Sequence, residues 1–235
     1  MAIKLPKETI DELDRLVTVM MKENPEERER ALTLLIEYER SGKIPVSVLL
    51  ELAAEENAAL SMYAISALGR NGSADAVKCL LGLAEKHREG NPLMLEFIID
   101  ALGVSKSAEA APLLLDLIGI KSGLKSKLME KLGRGKQQEE DAARTERLRE
   151  HILLPVVRAL EHIGDPKAVI LMEPFLNHSD HLVRWHTIRA IVNAEVQEFN
   201  GRLKEMAKKD ENELVRDMAD LSLYKLSGDH QGLNN

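Results

Sequence analysis

Aromatic residues are scarce in this chain: Phe, Tyr and Trp make up 3% of its 235 residues, and Trp185 is the sole tryptophan. Sites that clamp bases or flat cofactors between several rings are disfavoured by that count. Cysteine is represented by Cys79 alone, which rules out an intrachain disulfide and a cysteine-based zinc site and points to a reducing compartment. An excess of positive charge is also missing. Thirty-nine acidic against thirty-two basic side chains leave a net charge of −7, repulsive toward DNA, RNA and anionic lipid. No run approaches the roughly 18 consecutive apolar residues of a membrane span. The stretch Met1 to Asp14 is charged and lacks the apolar core of a signal peptide, so the expected location is cytoplasmic. No Gly-rich phosphate loop, no Gly-x-Ser-x-Gly elbow and no His-Glu-x-x-His pattern is present.

What the chain does have is 44% hydrophobic residues, carried by leucine and alanine, enough for one elongated domain or two compact ones. They recur in a repeat. Leu60 to Ala76, Met94 to Ala110 and Ile152 to Ala168 align without gaps, and Val183 to Glu195 and Val215 to Ser227 add two shorter copies. Pivot residues Ala67, Ala101, Ala159, Ala190 and Ser222 are separated by 34, 58, 31 and 32 positions. One interval is therefore longer than the rest by a helix or two.

Within each copy the apolar and small residues fall at helical spacing, as in Leu60, Ala64, Ala67 and Leu68. A break follows, of the kind Gly69, Gly72 and Ser73 or Gly164, Asp165 and Pro166 supply, because glycine accepts a left-handed helix stop and proline suits the next first turn. Second helices are expected over Ala74–Lys86, Ala108–Ile118 and Lys167–Leu176. Each unit is then a hairpin of about 31 residues that buries its stripes only by stacking on neighbours. Before the repeats, Pro6 to Lys22, Pro25 to Arg40 and Ile44 to Glu55 read as three further helices forming an atypical cap.

Val183-Arg184 with Ala190 seven residues after the valine, Val215-Arg216 with Ser222 at the same offset, and the run Ala159 to Val169 carry a resemblance to the HEAT-repeat superfamily. The short phycobilisome-lyase-type HEAT-like repeats are the nearest form. The likeness covers roughly Leu60 to Ser227, leaving the insertion aside. Ankyrin and tetratricopeptide signatures are absent. The resemblance implies an all-α fold, a right-handed α-solenoid of about five to six helical hairpins in one domain over residues 1–235. Its expected parts are a cap at 1–57, a charged insertion at 121–149 and a frayed tail at 228–235.

The insertion opens with six basic residues against Glu130, a local charge near +5 over Lys121 to Lys136, and then reverses sign at Glu139, Glu140 and Asp141. Leu124, Leu128 and Leu132 suggest a short amphipathic helix. Lys121, Lys125, Lys127, Lys131 and Arg134 are candidate binding residues for an acidic or phosphorylated partner. The plain alternative is a solvated helix and a loop around Gly133 and Gly135. Pro155 is expected to kink the helix that follows.

His178, Asp180, His181 and His186 fall within nine residues, yet helical spacing aligns two of them at best, so no metal is assigned. Ser179 or Asp180 is the expected N-cap, with His178 in the preceding loop and His186 on the packed stripe. Arg184 and Arg216 share one repeat position, each with an acidic neighbour at i, i+3 or i, i+4 spacing; in the resembling repeats such arginines form a ladder across the stack. His181, Arg184 and Trp185 join the candidate binding residues, Trp185 reading equally as a surface anchor or as filler between repeats. Cys79 lies on an apolar helix face and reads as a buried small residue.

No catalytic constellation emerges. HEAT-like deoxyhypusine hydroxylases hold iron with His-Glu pairs, and none of the seven histidines here precedes a glutamate. No cofactor is expected. The leading reading is a non-enzymatic interaction scaffold or adaptor for a protein partner, engaging it through the second helices and the insertion. The alternatives are a lyase-type or accessory enzyme subunit working with a partner chain, and a weak nucleic-acid binder using the basic insertion.

Overall fold

The computed structural model describes residues 7–20, 24–41, 44–54, 58–120 and 136–227, and among them it contains helices and no strand. In chain order the helices are α1 (Lys7–Met20), α2 (Pro25–Arg40), α3 (Val46–Leu52), α4 (Ala58–Asn71), α5 (Ala74–His87), α6 (Pro92–Ser105) and α7 (Ala111–Leu117). They are followed by α8 (Lys136–Ile163), α9 (Pro166–Ile170), α10 (His181–Asn193), α11 (Asn200–Lys209) and α12 (Glu213–Ser227). Short 3-10 turns precede α7 and α11 and follow α9. No described helix is long and apolar enough to cross a membrane.

Five of the helix starts have a local side-chain cause. Asn24, Ser73, Asn91, Asp165 and Asp180 cap the backbone N–H groups of α2, α5, α6, α9 and α10, and Pro25, Pro92 and Pro166 preset the first turn. The stops obey the repeat register. Gly72, Lys106, Gly164 and Glu195, spaced 34, 58 and 31 apart like the pivots, all have positive φ, at 62°, 54°, 65° and 54°. Two of the four positions are thus left-handed without glycine, at a cost of about 1 kcal/mol each.

The hairpins stack in two rows, an α-solenoid. The first row runs α4, α6, α8, α10, α12, each helix packed on the next, and α1 seats against α4 at its near end. The second row, α5, α7, α9 and α11, is built of shorter pieces that touch one another more sparsely. Between the rows lies one continuous core from Leu13 to Ala219. All five pivots are buried in it.

Close approach within the first row depends on glycine. A methyl group on Gly69 would sit 2.7 Å from the carbonyl oxygen of Ala101, and one on Gly103 would sit 2.8 Å from the Cα of Ala159. Gly69, assigned from the sequence to the break, therefore lies inside α4 at a helix contact; the break is made by Gly72. The equivalent position on α8 is Glu161 and on α10 Val192.

Two further readings are revised. The single helix expected over Lys167–Leu176 is split into α9 and a 3-10 turn at Glu173–Asn177, where Pro174 removes a backbone donor. The latter part of the expected insertion, from Lys136 onward, is the N-terminal extension of α8, a 28-residue helix that continues through the buried Pro155. The expected Leu124–Leu132 helix and the tail at 228–235 lie outside the described residues. In the cap, α1, α2 and α3 fall where the pattern placed them.

Candidate functional site

Arg184 sits on the first turn of α10, and its side chain is 6% exposed. Its Nε and Nη2 donate to the two carboxylate oxygens of Asp210 at 3.0 and 2.8 Å, and Nη1 donates to the carbonyls of His178 and Ser179. Arg216, one repeat on, donates likewise to the carbonyls of Asp210 and Glu211. Ser61 holds the same register position on α4 and donates to the carbonyl of Ala53. On α4, α10 and α12 this position thus ties the helix to the loop before it, whereas α6 and α8 carry Leu95 and Leu153 there. Arg184 binds the next loop's Asp210, where the sequence suggested Asp180; Asp180 instead caps α10 through the Leu182 N–H. Burial pushes the Asp210 carboxyl up, but the Arg184 hydrogen bonds, the Asn212 N–H and the nearby arginine charges outweigh it and hold the group below its ordinary range. Arg184 is in turn raised, chiefly by its hydrogen bonds to Asp210.

A second cluster spans α8 and α10. Glu161 is 2% exposed; His186 Nδ1 lies 2.6 Å from one carboxylate oxygen and Arg189 Nη2 2.8 Å from the other. Asn193 donates to the Glu161 carbonyl at 3.2 Å. Trp185 meets the His186 ring edge-on at 4.8 Å and lies 4.6 Å beneath the Arg189 guanidinium. It is half-buried, packed against the core on one side and open on the other. Neither Glu161 nor Arg189 stood out in the sequence; the signal was the glutamate occupying the register position of Gly69 and Gly103.

His178 is in the loop before α10, where its Nδ1 accepts from the Asp180 N–H, and His181 opens the helix, its Nδ1 3.8 Å from Asp180. No group of three or more His, Cys, Asp or Glu side chains able to hold a metal occurs among the described residues. The Cys79 thiol is pushed up by burial. Tyr63 on α4 is buried, and desolvation with the adjacent Glu39 carboxylate keeps its phenol neutral far above the usual range. Glu39 itself joins α2 to Arg70 of α4 at 2.7 Å. Lys121, Lys125, Lys127, Lys131 and Arg134 lie outside the described residues.

Most of the exposed large apolar side chains lie on the first row. Of the nine exposed large apolar side chains among the described residues, Leu93, Val104, Leu182, Leu214, Leu221 and Tyr224 are on first-row helices. Leu93, His151, Leu182 and Leu214 occupy one register position, and Asp100, Arg158, Arg189 and Leu221 another. Beside Leu93 a cleft of about 750 Å³ opens between the α5–α6 turn and the extended part of α8, lined by Arg88, Pro92, Leu93, Arg147, Leu148 and His151. Its polar groups are engaged locally: Arg88 with Asp116 and Glu85, His151 with Glu96 at 3.5 Å.

A family profile described as HEAT repeats matches residues 46–123. Solved structures similar to the chain include the CpcE–CpcF complex of phycocyanin lyase from Nostoc sp. PCC7120, 21% identical, covering 88% of this chain and 74% of that one, with a TM-score of 0.49. An engineered protein is 17% identical over 92% of this chain and 98% of its own, with a TM-score of 0.48. Human deoxyhypusine hydroxylase in complex with glycerol is 14% identical over 94% and 99%, with a TM-score of 0.31. No curated protein matches. The fold is a HEAT-like repeat fold.

Proposed function

We propose that this stack of HEAT-like repeats is a non-enzymatic scaffold that binds a protein partner on the open face of its first helix row. One observation carries the reading: exposed Leu93, Val104, Leu182, Leu214 and Leu221 are gathered on one row, with half-buried Trp185 among them. Monomers rarely leave contiguous apolar surface uncovered, and aromatic residues with arginine are enriched where partners bind. The sequence had pointed to the second helices; their exposed large apolar residues are Ile170 and its neighbour Leu171, next to each other at the end of α9. Arg184 supports the scaffold from within, because its guanidinium is enclosed by Asp210 and two carbonyls, whereas Trp185 and His181 belong to the open side.

The test is site-specific photo-crosslinking in the native cell. A crosslinker at Leu182 or Leu221 is expected to trap one defined partner, and one at Ile170 or Leu34 to trap none. Equal adducts from both sets, or none from the first, would sink the reading.

A further inference from the structure

Resting on that reading of the first-row face, we infer that buried Glu161 is a positioning residue: it holds Trp185 in one orientation, so that the indole stands ready as the anchor on which the partner docks. Glu161 acts through two neighbours. One carboxylate oxygen lies 2.6 Å from His186 Nδ1, and the His186 ring meets Trp185 edge-on with the two planes at 88°. The other lies 2.8 Å from Arg189 Nη2, and the Arg189 guanidinium stands over the indole, 4.6 Å from its centroid. A contact stiffens a ring only where the contacting group is itself held. Here both groups are held by one carboxylate that is 2% exposed and belongs to the neighbouring helix, α8.

Packing alone does not call for a carboxylate at this place. The α4–α6 and α6–α8 junctions close on Gly69 and Gly103 at the same register position. Taking a carboxylate out of water is costly, and a buried ion pair is often no more stabilising than apolar side chains of the same volume. What Glu161 adds is orientation. The position of Trp185 is held by Met62, Glu96, Leu154 and Asp217 on the other first-row helices, and Asp217 is exposed, so the ring and the groups that frame it coincide only where α8 meets α10. Leu182, 40% exposed, lies three residues before Trp185 on the same open side. A partner that meets an indole already fixed avoids the entropy of fixing it, a gain of about two- to tenfold in affinity for one side chain.

Trp185 is the sole tryptophan, so the time-resolved anisotropy of its emission in the full-length chain reads its own motion. Wild type is expected to show only the slow decay of the whole molecule. Glu161→Gln, and Arg189→Met to a smaller degree, are expected to add a sub-nanosecond component. Arg184→Met is the control: it removes a buried ion pair from the same helix and is expected to leave Trp185 as still as in wild type. Helical circular dichroism checks that each variant is folded at the temperature used. A fast component in wild type, none in Glu161→Gln, or an equal one in Arg184→Met overturns the positioning role. The second readout is the photo-crosslinker at Leu182, whose yield of trapped partner is expected to fall about two- to tenfold in Glu161→Gln. Undiminished trapping beside a mobile indole overturns the anchor. The anisotropy needs no partner, so the two readings fail separately: a still indole in Glu161→Gln with Leu182 adducts intact removes the role of Glu161 and spares the scaffold, whereas no adduct at Leu182 in wild type removes the docking face and the anchor with it.

Discussion

The junctions between α4, α6 and α8 and the junction between α8 and α10 solve one packing problem with opposite chemistry. At the first two, glycine lets backbones close to a distance at which a single added methyl would collide with Ala101 or Ala159. At the third, the same register position holds Glu161, whose carboxylate is met by His186 and Arg189 and whose carbonyl accepts from Asn193. The lesson is that a solenoid's register fixes which residues meet across a junction and leaves open whether bare backbone or a polar cluster makes the contact. A glycine junction is held by dispersion and burial and has no room for a side chain at the contact. A buried carboxylate junction is held by directional bonds, each of which needs its partner.

Breaking the glycine side should produce the largest effect. Gly103→Val is expected to destabilise by about 3 kcal/mol, because the obstacle is backbone rather than the end of a flexible side chain. A urea unfolding midpoint within error of wild type would remove the basis of the comparison. The next effect sharpens it at the neighbouring α10 position. Arg184→Met should cost about 2–3 kcal/mol by leaving buried Asp210 and two carbonyls without their donor. It should also change the acid limb. A carboxyl whose folded pKa is depressed contributes stability that is present above its unfolded value near 3.9 and lost as pH falls through the lower folded value. Wild type should thus lose this contribution below about pH 4, and the variant should show a shallower loss in that window; parallel stability curves for the two proteins would contradict the Arg184–Asp210 assignment.

Glu161→Gln tests the polar junction directly, with an expected cost of about 1–2 kcal/mol, held down because Arg189 is more than a third exposed and can turn to water. A double-mutant cycle with Arg189→Met should return a coupling of about 0.5–1 kcal/mol; additive effects would mean the two groups do not interact. The smallest effect has the opposite sign. Lys106→Gly and Glu195→Gly should each stabilise by up to about 1 kcal/mol, since both residues hold the left-handed stop that Gly72 and Gly164 hold elsewhere. Thermal melts that fall for both would show that side-chain contacts, and not φ, govern those stops.

Much of this was legible in advance because helical hairpins announce themselves locally. Apolar spacing, the Asn, Ser and Asp caps and the 34, 31 and 32-residue intervals specify helices, breaks and repeat register within a few turns of chain. Position 220 shows the register reaching further: Ile65, Ile99, Val157 and Ile188 are buried there, and α12 carries an exposed Asp220, a face of α12 suited to water. The candidate site was legible only in part. Trp185 and His181 were singled out by residue type, whereas Leu93, Leu182, Leu214 and Leu221 looked like any other leucines of a helix.

The sequence by itself determined that the chain is helical, where most of its caps and breaks fall and the register of its repeats, since these depend on interactions between residues close in the chain. Only the tertiary structure decided that Gly69 is a contact and not a stop, that Arg184 reaches Asp210 twenty-six residues away, and that Glu161 is enclosed by α10. It also decided which row keeps its leucines in water. The physical reason is common to all four: burial and partner choice are properties of the space between helices, and that space exists only once residues from different repeats have come together.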